Sequence, residues 1–226
     1  MMHASYRTLL AGATLTTLAC GPAFAGDAAA KPAEAAKPAA AARPADAKAA
    51  PDPAMAAMIQ AAAPGPNHDI LKGMAGTWTV TNKAQMDPSQ PAVTSTGKAT
   101  KKMILGGRYL QEEADSTFLG MPFQGIGLSA YDNVQKKFVG TWIDNMGTGI
   151  ATMTATSSDG KTMAGGAAFW DPMTGKETIA RTVTRIESPD KHIFEWWSKG
   201  PDGKEFLGMH ITYERTKQTV ASAPKK

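Results

Sequence analysis

From residue 76 onward the chain is a series of short segments suited to β-strands, separated by turns rich in Gly, Pro, Asn and Asp. The run 131–156 shows the pattern. In it the segments 138–145 and 150–156 flank Gly147 and Gly149, which can turn the chain back on itself because glycine tolerates a positive φ. About ten such segments follow one another without a helix-length stretch between them. This predicts an all-β meander that removes its edges by closing into an antiparallel up-and-down barrel.

The predicted strands are bounded by turn residues at short and even spacing. They span 76–84, 93–105, 108–117, 123–131, 138–145, 150–156, 162–170, 177–187, 192–198 and 205–215. Alternate side chains of the strand 138–145 form two faces, and neither face is wholly polar. Both sides of the sheet are therefore expected to be partly covered, as in a barrel whose lumen is filled or holds a ligand.

The N-terminal residues predict export. Arg7 gives a basic start, residues 8–19 are apolar but too short to cross a bilayer, and Ala23-Phe24-Ala25 offers the small residues that a signal peptidase recognises. We therefore expect a signal peptide over 1–25 and a periplasmic protein. With that segment removed, no transmembrane helix is expected.

Cys20 provides an alternative, because a lipoprotein would be anchored through a cysteine at the end of its signal sequence. Thr17 and Leu18 match the residues that normally precede such a cysteine poorly. Cys20 is the only cysteine in the sequence. Cleavage after residue 25 therefore leaves a mature chain without a disulfide, a thiol nucleophile or a thiolate metal ligand.

Composition divides the rest of the chain into a linker, a short helix, a domain and a tail. Residues 26–51 are rich in Ala, Pro and Lys and predict a disordered linker. Residues 52–66 predict a short amphipathic helix and turn, residues 67–216 the β-barrel domain, and residues 217–226 a disordered tail.

The predicted helix begins with an N-cap acid and a proline, Asp52-Pro53. An apolar stripe follows at helical spacing, made of Met55, Met58, Ile59 and Ala62. We expect this helix to cover one end of the barrel loosely, and a partner-binding helix is the alternative.

The net charge of +4 belongs to the tails. The span 67–216 carries sixteen basic and sixteen acidic residues and has no basic stripe. This balance argues against nucleic acid as a partner. The sequence leaves the oligomeric state open.

Several motifs along the predicted domain are similar to those of a known family. They are Gly76-Thr-Trp78, Ile104-Leu-Gly-Gly-Arg108, Gly125-Ile-Gly127, Tyr131-Asp-Asn133, Thr141-Trp-Ile-Asp144, Met146-Gly-Thr-Gly149 and Asp171-Pro-Met-Thr-Gly175. In this order, over residues 67–216, they resemble the uncharacterised bacterial family called domain of unknown function 1579 (DUF1579). The resemblance implies a lipocalin-like barrel and supplies no mechanism.

The opening of the domain also resembles that of the lipocalins and other calycins. In that fold a tryptophan on the first strand plugs the closed end, and a basic residue from a late strand packs across it. The resemblance therefore implies structural roles for Trp78 and Arg215.

The leading hypothesis is a non-enzymatic barrel that binds a small apolar or amphipathic molecule in its lumen. No catalytic residue, cofactor or metal is predicted. The candidate ligand-binding residues are Tyr109, Phe123, Trp142, Asp144, Met153, Arg181, Glu195 and Trp197.

Trp142 and Asp144 stand two residues apart on one predicted strand, so both side chains point to the same side. Together they would form an aromatic wall with a polar acceptor in a ligand pocket. The alternative is that Trp142 belongs to the core and Asp144 caps the glycine-rich turn that follows.

Charged residues within the predicted strands must pair if they face the lumen, because an unpaired buried charge is destabilising. These residues are Glu112, Glu113, Arg181, Arg185 and Glu195. Arg181 and Glu195 lie on adjacent strands, and we predict that they pair.

Three further hypotheses remain open. One is an envelope interaction module with a filled barrel. Another is an enzyme in which Asp144 and Glu113 act as acid and base. The third is a haem or metal site at His210, for which an ordinary strand histidine is the alternative. The frequent methionines are read as core residues, with a Cu(I) role as the alternative.

Overall fold

A computed structural model describes residues 52–217. The predicted signal peptide, the linker 26–51, Cys20 and residues 218–226 of the tail lie outside these residues. Within them are two helices, α1 (Pro53–Ala62) and α2 (Pro66–Gly73), followed by ten strands. The strands are β1 (Gly76–Ala84), β2 (Val93–Ile104), β3 (Tyr109–Phe118), β4 (Met121–Asp132), β5 (Lys137–Asp144), β6 (Ala151–Thr156), β7 (Thr162–Asp171), β8 (Lys176–Ser188), β9 (Lys191–Lys199) and β10 (Glu205–Arg215).

The ten strands form one closed antiparallel barrel. Each strand pairs with its neighbours in sequence, and β1 pairs with β10 to close the sheet, with Trp78 opposite Arg215. The predicted all-β, up-and-down barrel is therefore confirmed. None of the helices within 52–217 is both long and apolar enough to span a membrane.

The hairpin of β5 and β6 forms at the predicted position, with Phe138 opposite Ala155 and Trp142 opposite Ala151. Gly147 and Gly149 are not among the described glycines with a positive φ. The predicted reason for this turn was therefore wrong. The connection runs over residues 145–150, and a loop of that length can reverse direction without a left-handed residue.

The helix α1 begins as predicted, since the Asp52 carboxylate accepts a hydrogen bond from the Ala54 amide at 2.9 Å. Its apolar stripe does not pack on the barrel, because Met55, Met58 and Ile59 are each more than half exposed. Polar contacts hold the end of the helix instead. Arg108 Nε donates to the Ala62 carbonyl at 2.9 Å, and Asn133 Nδ2 donates to the carbonyls of Ala61 and Ala63 at 2.9 and 2.8 Å.

The helix α2 closes one end of the barrel. Its buried Leu71 and the following Met74 pack with Leu110, Phe138 and Met163 from three strands. A second cluster beside it contains Trp78, Val80, Ala99 and Tyr213. The opposite end of the barrel carries the loops 85–92, 119–120, 145–150, 172–175 and 200–204. The core is therefore concentrated at the helix-covered end, and the other end leaves room inside.

Candidate functional site

The barrel encloses a cavity of about 520 Å³. It extends from Leu71 and Met74 at the closed end to Met146 and Ile150 in a loop at the open end. Its walls are predominantly apolar. Small-molecule sites are typically mostly apolar cavities of about 300–1,000 Å³ with a few polar groups, so this cavity is the candidate site.

One wall of the cavity is aromatic. The rings of Phe123 and Trp142 are stacked, with 12° between their planes and 6.4 Å between their centres. Gly125 and Gly127 lie beneath the indole, and a Cβ atom at Gly125 would approach Trp142 Cζ2 to 2.2 Å. Glycines at these positions therefore make the space that the Trp142 ring occupies.

Asp144 fixes both the aromatic wall and the loop beside it. Its Oδ2 atom accepts a hydrogen bond from Trp142 Nε1 at 3.0 Å, and its Oδ1 atom accepts one from the Met146 amide at 2.9 Å. The two interpretations of this pair from the sequence are thus compatible. Trp142 forms a wall of the cavity, and Asp144 caps the loop while holding that wall in place.

The opposite wall is formed by strands β6 to β10. Phe169 and Trp196 are in contact, with 5.2 Å between their ring centres. Other cavity-lining residues on these strands are Met153, Met163, Thr182, Phe194, Met209 and Ile211. Flexible methionines on this wall suit a cavity that adapts to the shape of its ligand.

The closed end of the cavity contains a polar cluster of Lys101, Glu112, His192 and Tyr213, which we call the base cluster; Glu112 is partly buried and the other three are buried. Lys101 Nζ lies 3.1 Å from Glu112 Oε2, 3.0 Å from His192 Nε2 and 3.8 Å from the centre of the Tyr213 ring. The His192 ring stacks on that of Tyr213 at 4.4 Å. All four residues line the cavity. A ligand that reaches this end would therefore meet polar groups.

The cluster's protonation follows from its surroundings. Burial, assisted by the positive charges of Lys101 and Arg215, lowers the pKa of His192 to about 2, so its ring is neutral. Burial lowers the pKa of Lys101, which the Glu112 carboxylate partly offsets. Burial, then the charge of Glu112 and a hydrogen bond to its carboxylate, raise the pKa of Tyr213, which keeps its hydroxyl protonated. Lys101 and Glu112 form an ion pair at 3.1 Å, in which the two charges balance.

Two buried acceptor atoms in the cavity have no hydrogen-bond partner among residues 52–217. They are Glu112 Oε1 and Asn82 Oδ1. Buried polar atoms are nearly always hydrogen-bonded, so each of these atoms points to a donor supplied from within the cavity.

The mouth of the cavity is apolar. Ile150 and Trp170 line the cavity and are also well exposed at the open end. The loops 119–120, 145–150 and 172–175 carry no charged residue. An apolar molecule therefore meets apolar side chains on this side of the mouth.

The structure brings four of the predicted ligand-binding residues together and leaves four elsewhere. Phe123, Trp142, Asp144 and Met153 line the cavity. The other four, Tyr109, Arg181, Glu195 and Trp197, are not part of the cavity lining. Each of them is adjacent on its strand to a residue that does line the cavity. Side chains on a strand point alternately to its two faces, so these four belong to the outer face.

The predicted ion pair between Arg181 and Glu195 was wrong. Arg181 pairs with Glu205 at 2.9 Å, and Glu195 pairs with Arg185. Glu195 also accepts a hydrogen bond from Trp197 Nε1 at 3.1 Å. In the strand register Glu195 lies opposite Val183, diagonal to both Arg181 and Arg185. Arg181 instead covers the ring of Trp197 at 4.3 Å and reaches Glu205, which leaves Glu195 to Arg185.

The acids of the enzyme hypothesis do not converge. Asp144 lines the cavity, whereas Glu113 is exposed and pairs with Lys102 on the outer face. His210 is also absent from the cavity lining, and its Nδ1 atom lies 3.8 Å from Glu195 Oε1. Among residues 52–217, no group of three or more His, Cys, Asp or Glu side chains is arranged to hold a metal ion.

Sequence reasoning missed most of the base cluster. Glu112 was recognised only as a charge that must pair if it faced the lumen, and Lys101 now provides that pair. A signal for Lys101 was present, because it alternates in phase with Ala99 and Met103 on β2. That parity places the lysine on an apolar face, whereas Lys102 falls on the outer one.

The fold and the site together define the class of protein: it is an up-and-down β-barrel with an internal, mostly apolar cavity. Within that class the chain belongs to the family described as a protein of unknown function, DUF1579, which matches residues 63–215. No curated protein matches the sequence.

Two solved structures are among those similar to this chain. Rv2717c from M. tuberculosis is 14% identical, with a TM-score of 0.52, and the match covers 68% of this chain and 99% of that one. A redesigned β-barrel is 18% identical, with a TM-score of 0.36, and the match covers 66% of this chain and 96% of that one. At 14% identity, the similarity to Rv2717c shows a common fold and nothing more.

Proposed function

We propose that this protein is exported and binds one small, mostly apolar molecule in the barrel lumen without catalysing its conversion. The cavity of about 520 Å³ is the observation that carries the proposal. Its aromatic wall of Phe123 and Trp142 and its opposite wall of methionines suit an apolar body. The base cluster provides a polar end, so the preferred molecule is amphipathic rather than a plain hydrocarbon.

The competing hypotheses have less support. An interaction module with a filled barrel does not account for the open lumen. Acid–base catalysis needs two groups within reach of one substrate, and Asp144 and Glu113 lie on opposite faces of the sheet. The periplasmic location is supported by the N-terminal sequence pattern, with a lipid anchor at Cys20 as its alternative.

A neutral apolar probe tests the binding proposal. N-phenyl-1-naphthylamine becomes fluorescent in an apolar cavity, and we expect the purified mature protein to bind it with one saturable site. Met153→Trp places a bulky ring inside the lumen and should weaken this binding, because the ring takes up space that the probe would occupy. Thr152→Trp adds the same ring one residue away on the exposed face and should leave it unchanged.

Equal binding by wild type and both variants would place the probe outside the lumen and overturn the proposal. In native mass spectrometry, protein purified from its source should carry the additional mass of a bound molecule, and Met153→Trp should lack it. Cell fractionation tests export. The Cys20→Ser variant distinguishes a soluble periplasmic protein from one anchored by a lipid at Cys20. Release of the protein from the membrane by Cys20→Ser would establish the lipid anchor.

A further inference from the structure

We propose that the polar end of the ligand is a hydroxyl group that donates a hydrogen bond to Glu112 Oε1 at the base of the cavity. The inference rests on the proposed function and names the chemical class of its ligand. That class is an alcohol or phenol with an apolar body, and not a fatty acid or an amine.

The first argument is the unpartnered carboxylate oxygen. The Glu112 carboxylate is held by Lys101 Nζ, 3.1 Å from Oε2, and by the Tyr213 hydroxyl, whereas its Oε1 atom is buried and has no partner in hydrogen-bonding geometry among the described residues. A buried acceptor without a donor is destabilising, and more so when it belongs to a charged group. A ligand donor at this position removes that cost. Asn82 Oδ1 is a second buried acceptor in the same cavity, so both unpartnered atoms call for donors.

The second argument is that Lys101 has no hydrogen left to offer. A lysine ammonium group carries three N–H donors. Three partners surround it, namely Glu112 Oε2, His192 Nε2 and the face of the Tyr213 ring. The cation–π contact with the ring favours the charged form of the lysine. A ligand carboxylate at the base would therefore compete with Glu112 for donors that are already in use.

The third argument is the balance of charge at the base. Lys101 and Glu112 offset one another, and His192 and Tyr213 are neutral. A carboxylate brought into this buried site adds an uncompensated negative charge beside Glu112, and an ammonium adds a positive one beside Lys101. Either unpaired charge is strongly disfavoured in a buried environment. A neutral hydroxyl satisfies Oε1 without changing the balance.

Three probes with the same alkyl chain separate a hydroxyl ligand from an ether and from a carboxylate. They are 1-decanol, its methyl ether and decanoate, each titrated into wild-type protein by calorimetry at pH 7. We expect decanol to bind about tenfold more tightly than the ether, which lacks the donor, because a hydrogen bond to a charged partner has that strength. Decanoate should bind more weakly than decanol. This ranking tests the inference without any substitution.

Glu112→Gln and the matched Glu113→Gln identify the residue responsible. Glu112→Gln removes the carboxylate beside Lys101, so the preference for decanol over its ether should fall below about threefold. The same change leaves Lys101 without a counter-charge, so decanoate should gain about tenfold. Glu113 lies next to it on the exposed face, and Glu113→Gln should change neither preference.

The outcomes separate the inference from the function on which it rests. If decanoate binds wild type at least as tightly as decanol, the cavity is a lipid-binding site but the hydroxyl assignment is wrong. If Glu112→Gln binds decanol, the ether and decanoate in the same order of affinity as wild type, the assignment to Glu112 is also wrong. If wild-type protein bound none of the three probes and also failed to bind N-phenyl-1-naphthylamine, the proposed function itself would be overturned.

Discussion

Arg215, on the last strand, lies over the ring of Trp78 on the first, with its guanidinium carbon 4.2 Å from the ring centre. Its Nη1 and Nη2 atoms donate to the carbonyls of Ala75 and Gly73 at 2.7 and 2.9 Å. The Trp78 indole donates to the Met74 carbonyl at 3.0 Å. These contacts join the two strands that close the barrel to the end of α2.

The first prediction concerns Arg215. Arg215→Lys keeps the charge but loses the planar group that donates to several carbonyls at once, so we expect the free energy of unfolding to fall by about 2 kcal/mol. Urea denaturation measures the change. Arg108 donates to two backbone carbonyls outside the barrel, and Arg108→Lys should lower the stability by less than about 1 kcal/mol. Equal losses in the two variants would contradict this ranking.

The second prediction concerns the glycine beneath Trp142. Gly125→Ala places a methyl group within 2.2 Å of the indole, so the ring must move and its hydrogen bond to Asp144 must be strained. We expect a loss of about 1–3 kcal/mol, as for other overpacked cores, and an altered near-ultraviolet circular dichroism spectrum. Gly147→Ala is the control, since its added methyl group meets nothing closer than 4.0 Å. An unchanged spectrum for Gly125→Ala would show that the ring is not confined there.

The third prediction concerns the ion pair of the base cluster. Lys101→Met leaves the Glu112 carboxylate buried without its partner, which should lower the stability by about 3–5 kcal/mol. The double change Lys101→Met/Glu112→Leu removes both charges and should recover most of that loss. A urea-denaturation cycle measures the coupling. The exposed pair Lys102 and Glu113 provides the control cycle and should show less than about 1 kcal/mol.

The fourth prediction is a dependence of stability on pH that originates at His192. Its pKa is about 2 in the folded protein and near 6.5 in the unfolded chain, so the unfolded state binds more protons between these values. Stability should therefore be complete above pH 6.5 and decrease as the pH falls, by up to about 1.4 kcal/mol per pH unit.

The window from pH 6.5 to 4.5 isolates this effect. Asp159, whose folded pKa is also about 2, takes up its proton in the unfolded chain only below about pH 4. His192→Gln can still accept from Lys101 but does not titrate, so its stability should change less across the window. A decrease of the same size in His192→Gln, measured by urea denaturation at each pH, would assign the effect to other groups.

The location of the strands could be predicted because turn residues and alternation are local properties. The predicted segment 138–145 agrees with β5 within one residue at each end. The helix α1 began where Asp52 and Pro53 indicated, but its apolar stripe remained exposed. Amphipathic spacing shows that a helix has an apolar face, and it does not show what that face contacts.

The face of each strand that points inward could not be predicted with the same success. Trp142 and Asp144 were placed correctly relative to one another, while Glu195 was assigned to Arg181 although it pairs with Arg185, the other arginine diagonal to it. A period of two defines which residues share a face. It does not determine which face becomes the lumen, nor how far neighbouring strands slide along one another.

By itself the sequence determined an antiparallel meander with enough strands to close. The reason is that turns, and the alternation of side chains between the two faces of a strand, depend on residues that are neighbours in sequence. Only the tertiary structure decided that Lys101 would be buried while Lys102 is exposed, and that Lys101 would meet His192, 91 positions away, across the lumen. The physical reason is closure. It brings strands far apart in sequence face to face across the lumen, and Lys101 meets His192 only because the sheet has closed.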